Sequence, residues 1–173
     1  MFFDNVRVPA ENLVGEVDQG WTVAKALLGD ERITNGAPTL PRQAFEMLEQ
    51  LIAGLGLEGD MGVADRQAEL LCDLHDLSEL HQQIAAAAIR GEADHAVMGL
   101  MKVLATELFQ RITDEMLRVS GESAGLRAPV GIGGLDMDLR RLFMVARPST
   151  IYAGASEVQR NIVSNMLLGP VGR

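Results

Sequence analysis

One cysteine, Cys72, is too few for an intramolecular disulfide. Three scattered histidines beside that single thiol give no metal-ligand spacing. No apolar run approaches the roughly 18 residues of a membrane span. The opening MFFDNVRVP carries an acid where a secretory leader has its basic region, so the cytoplasm is the expected compartment. Positive charge is also short. A formal net charge of −9 argues against nonspecific nucleic-acid binding and against a basic membrane-facing patch. Aromatic residues make up only 4% of the chain while hydrophobic residues make up 47%. A core must therefore be built from Leu, Ala, Val, Ile and Met, which favours helices over sheets.

A chain of 173 residues suffices for one domain with a real core. Phe3, Val6 and Val8 alternate, so Met1 to Pro9 reads as a short strand whose partners are missing or lie in another chain. A first helix begins near Asp18 or Gly20 and runs past Glu31. Asn35-Gly36-Ala37-Pro38 and Pro41 predict a kink or break there. The pattern resumes from Phe45 to Leu55 and ends at Gly54, Gly56 and Gly59. A second long helix covers about Gly62 to Arg90, with Val63, Leu70, Leu74, Leu77, Ile84 and Ala88 at heptad-like spacing. Asp94 is a candidate N-cap for a third, about His95 to Ser120. Its expected buried stripe is Val97, Met101, Leu104, Leu108, Ile112, Met116 and Val119. Gly121 to Asp136 reads as a glycine-rich loop, and a shorter helix follows up to Arg147-Pro148. The expected fold is all-α: an antiparallel up-and-down helical bundle with a short N-terminal strand.

The last stretch, Ser149 to Gly169, is the most specific. Tyr152-Ala153-Gly154-Ala155 makes a turn, and Gly154 suits backbone angles that a Cβ resists. Ser156 and Gln159 have capping-box spacing, and Val158, Ile162, Val163, Met166 and Leu167 form an apolar stripe. Bare N–H groups at that helix start suit a polar or anionic ligand group.

Tyr152, Gly154, Ala155, Val158, Gln159 and Arg160 together resemble the Tyr-x-Gly-Thr-x-x-Ile-Gln-Arg-like run near the end of acyl-CoA dehydrogenases. Phe2 to Trp21 resembles that family's exit from its middle β-domain. The resemblance implies two parts: residues 1–16 as strand and linker left from a β-domain, and residues 17–173 as the C-terminal helical-bundle domain. It also implies that the family's N-terminal helical domain and most of its β-domain are absent here. The chain alone is then expected to turn over weakly or not at all.

The implied chemistry is FAD-dependent α,β-dehydrogenation of an acyl-CoA thioester in fatty acid metabolism. Electrons would leave to an electron-transfer flavoprotein-like acceptor. Many members carry the base between the Tyr and Gly of the terminal run, where this chain has Ala153. Others carry it in an acid-Arg pair on the first helix, which points to Glu31 within Asp30-Glu31-Arg32. Periodicity agrees in part. Glu31 follows Leu27 and Leu28 by four and three residues, on the apolar face. An acid there either sits in a cavity or is mated to a cation. Arg32 and Tyr152 are the expected substrate-proximal residues.

Gly154, Ala155, Ser156 and Glu157 are expected along the flavin, with Ala155 lacking the usual threonine hydroxyl. Gly121 keeps part of a glycine pattern that touches a neighbouring subunit's flavin. Arg66 is a stand-in for a missing phosphate contact. The degraded flavin motifs leave an alternative open: a non-catalytic assembly subunit of a heteromeric dehydrogenase. Either way a homo-oligomer or a heteromeric partner is implied.

Overall fold

The computed structural model describes residues 1–125, 130–132 and 135–169, without the side chains of residues 25–32, 95, 123, 130, 132 and 135. Helix α1 spans Gly20–Asn35 and α2 spans Thr39–Gly54, with Pro38 as the N-cap of α2. The expected break at Asn35 to Pro38 is therefore real. Pro41 is tolerated because it sits in the first turn of α2, where its absent N–H would have had no helical partner. The long helices are α3 at Met61–Ile89 and α4 at His95–Ser120, followed by α5 at Leu139–Ala146 and α6 at Ser156–Leu168.

Asp60, Asp94 and Asp138 begin α3, α4 and α5, each accepting a backbone N–H of the first turn. The Asp94 carboxylate receives Ala96 N–H at 2.7 Å. Asp94→Ala is expected to lower stability by about 1 kcal/mol, read as a shift in the urea midpoint.

Helix α4 is the central element, packed by α1, α2, α3, α5 and α6. Leu48 and Leu51 of α2, Leu70 and Leu74 of α3, and Met98, Met101, Leu108, Ile112 and Met116 of α4 are buried together. The result is the expected antiparallel all-α bundle.

Several details differ from expectation. Residues 1–9 form no strand, and a 3-10 turn follows at Ala10–Asn12. Phe2, Phe3, Val6 and Val8 are exposed, as alternating residues are when no second strand is present to pair with them. The glycine-rich stretch contains a 3-10 turn at Gly121–Gly125 and a small hairpin, β1 (Val130–Ile132) against β2 (Leu135–Met137). Its register pairs Val130 with Met137 and Ile132 with Leu135. Leu104, assigned to the buried stripe of α4, is exposed. So are Val158, Met166 and Leu167 of α6.

Candidate functional site

Two strands of polar bonding fasten the terminal turn to α4. Gln110 Nε2 donates to the carbonyls of Ala146 and Arg147 at 3.2 and 3.0 Å. Arg147 answers with donors to Gln110 O and Thr113 Oγ1, both at 3.1 Å, and an ion pair to Asp114 at 2.9 Å. Its guanidinium also lies 4.1 Å from the centre of the Phe143 ring, a cation–π distance. Buried Ser149 donates to Ala146 O at 2.6 Å. The chain thus leaves α5 in one fixed direction and delivers Tyr152.

The second fastening lies beneath the turn itself. Lys102 of α4 is 0% exposed, and its Nζ donates to Gly154 O at 2.8 Å. Burial holds the Lys102 ammonium below its ordinary pKa, while the nearby charges of Glu107 and Glu157 push back upward. Arg160 of α6 reaches Glu107 of α4 at 2.7 Å. That hydrogen bond is the leading cause of the raised pKa of Arg160.

Ser156 is not the N-cap. That position falls to Ala155, which makes no side-chain cap hydrogen bond, so the cap shifts by one residue and the expected capping box does not form. Ser156 Oγ and Gln159 Oε1 are instead buried with no hydrogen-bond partner among the described residues. Packing explains the shift. The Gln159 side chain fills the space beside Gly154, where a Cβ would lie only 2.1 Å from Nε2. It also uses the room left by Gly99, whose Cβ would meet Oε1 at 3.0 Å.

A pocket of about 70 Å³ opens where the end of α1 meets the turn. Thr34 and Asn35 of α1, Thr39 and Pro41 of α2, Thr106 and Phe109 of α4, and Ser149 and Tyr152 line it. Tyr152 is half exposed there. Glu31 and Arg32 belong to α1, but their side chains lie outside the described residues. Glu31 occupies the position three and four residues before Thr34 and Asn35.

Gly154, Ala155, Ser156 and Glu157 are adjacent to this pocket along the chain, with Glu157 exposed. Gly121 is not with them. It ends α4 with φ +54°, nineteen residues beyond Lys102, or about 28 Å along the helix. Arg66 is committed elsewhere: it and Arg118 both pair with buried Glu115. No group of metal-ligating side chains occurs among the described residues. No described helix is long and apolar enough to cross a membrane.

Lys102, Gln110 and Arg147 were missed as organisers of the turn, and Gln159, read as half of a capping box, acts by packing instead. Lys102 did leave a signal: it stands four residues after Met98 and three before Ala105, in the apolar face of α4.

The family profile for the acyl-CoA dehydrogenase C-terminal domain matches residues 18–168. The chain belongs to the acyl-CoA dehydrogenase family. Acyl-CoA dehydrogenase FadE34 of Mycobacterium tuberculosis is 26% identical over 171 residues, covering 98% of this chain and 22% of that protein. Acyl-CoA dehydrogenase IpdE1 of the same organism is 29% identical over 177 residues, covering 98% of this chain and 43% of its own length. The acyl-CoA dehydrogenase match therefore spans less than half of either curated relative. Among solved structures, the Tcur3481-Tcur3483 steroid ACAD superposes with a TM-score of 0.85 at 23% identity, over 99% of this chain and 45% of that one. Butyryl-CoA dehydrogenase from Megasphaera elsdenii gives 0.72 at 22% identity, over 96% and 43%. These likenesses carry the fold. Acyl-CoA dehydrogenases as a family use FAD.

Proposed function

We propose that this chain is the helical part of an FAD-dependent enzyme that desaturates an acyl-CoA thioester between its α and β carbons. The observation that carries the reading is the meeting of the α1 end with Tyr152 in one pocket. Glu31, one helical turn before Thr34 and Asn35, takes the α-proton. That proton is weakly acidic, and a carboxylate is a general base able to take it when it is held within reach. Arg32 and Tyr152 border the substrate. Bound FAD would supply the hydride acceptor for the β-hydrogen.

The residues fit such a group in part. The first turn of α6 has no side-chain cap, so its amides are open to a polar ligand edge beside Gly154, Ala155, Ser156 and Glu157. The exposed acid Glu157 disfavours a phosphate at that spot and favours an uncharged edge. Gly121, distant along α4, serves a second flavin held with a neighbouring subunit. The pocket is far smaller than the roughly 300–1,000 Å³ usual for ligand sites, so it forms one wall of a larger cleft. A homo-oligomer or heteromeric partner and an electron-transfer flavoprotein-like acceptor complete the assignment.

The expected result is direct. Protein carrying this domain, purified with its neighbouring domains, retains yellow flavin after desalting, and anaerobic acyl-CoA bleaches it. Colourless protein that stays oligomeric supports the second reading, a non-catalytic assembly subunit. That reading is favoured by Ala153, which puts no acid at the base position of the terminal run.

A further inference from the structure

We propose that Lys102 is a positioning residue: by holding the Gly154 carbonyl inward, it presents the Ala155 N–H outward to a hydrogen-bond acceptor on the bound substrate or cofactor. The inference rests on the dehydrogenase reading for its ligand, but the contact stands on geometry alone. Lys102 is wholly buried in the N-terminal third of α4, and its Nζ lies 2.8 Å from Gly154 O. A trans peptide is planar, with its C=O and N–H on opposite sides. Pinning the carbonyl of Gly154 against α4 therefore turns the N–H of Ala155 the other way.

The turn needs such a hold. Ala153 and Gly154 have φ values of +54° and +96°, and a residue with a Cβ occupies the left-handed region only at a cost. Gln159, buried between Gly99 and Gly154, wedges the same peptide from α6. A buried ammonium with a backbone carbonyl for an acceptor is a costly way to make one contact. An apolar side chain would pack α4 more simply, so the charge is suited to orienting a dipole. The charged groups facing Lys102 among the described residues are Glu107 on α4, itself paired with Arg160, and Glu157 on α6.

The test is Lys102→Met in the protein carrying this domain together with its neighbouring domains. The variant keeps most of the stem volume and loses the donor. Turnover is expected to fall about 10²-fold, the scale of a misplaced catalytic group, with KM within about threefold and flavin retained. The melting temperature should hold, because removing a buried charge offsets the lost hydrogen bond. Unchanged turnover overturns the proposal, as does a loss that only follows a loss of folded protein.

A second measurement needs neither turnover nor a folded variant. In the wild type, the Gly154 carbonyl ¹³C and Ala155 amide ¹⁵N signals should move together at alkaline pH, as Lys102 titrates below the ordinary lysine range. Signals that stay fixed overturn the contact. If acyl-CoA fails to bleach the wild-type flavin, the dehydrogenase reading fails, and the carbonyl titration still decides the Lys102 contact.

Discussion

Glu31→Gln should lower turnover of the intact enzyme by about 10²–10⁴-fold, the range supplied by a general base. Glutamine keeps the shape of the side chain and can still donate or accept a hydrogen bond. What it cannot do is take a proton. Substrate binding is then expected to change little, so the loss appears in kcat rather than KM. The reasoning starts from helix geometry. Residues three and four apart share a face, and Thr34 and Asn35 line the pocket that also contains Tyr152. Asp30 and Arg32 stand about 100° to either side of Glu31. Asp30→Asn is therefore the control, expected to leave turnover within about threefold. Full turnover with glutamine at 31, or an equal loss in Asp30→Asn, would sink the assignment.

The helix bounds were readable because their signals are local. Asp94 caps α4 as its sequence position implies, and Ser120-Gly121 ends it. Asn35 to Pro38 interrupts the chain because proline cannot continue a helix on its N-terminal side. The heptad spacing of Leu70, Leu74, Leu77 and Ile84 identified the buried face of α3. Signals that depend on distant parts of the chain were not readable. The stripe of α6 looks like a core face, yet the residues buried at its start are Ser156 and Gln159. Only the glycine gaps at Gly99 and Gly154 explain that, and they lie on another helix and in the turn. The β1–β2 hairpin was hidden because its short strands sit within a glycine-rich run lacking strand periodicity. At the candidate site, the turn at Tyr152 to Ala155 was legible. The buried lysine that fastens it left only its place in the apolar face of α4, a weak signal because charge usually marks a solvated face.

Gly154→Ala is expected to destabilise the domain by about 2–5 kcal/mol, combining a left-handed alanine with an overpacked contact. The two costs have separate sources. At φ +96° any L side chain is strained, whatever the space around it. The new methyl would also lie 2.1 Å from Gln159 Nε2, so that side chain must leave its buried place between Gly99 and the turn. A double-mutant cycle separates them. In a Gln159→Ala background the steric cost is relieved, and Gly154→Ala should then cost only the backbone share of roughly 1–2 kcal/mol. Gln159→Ala alone should cost less than Gly154→Ala, because it removes packing but also removes an Oε1 with no partner among the described residues. Urea midpoints of the four proteins supply the measurement. Additive losses, with no coupling between positions 154 and 159, would mean that Gln159 does not occupy the space the glycine leaves. Strong coupling would mean that α6 and the turn are fitted as one unit, so the amides at the start of α6 keep their direction only while residue 154 has no side chain.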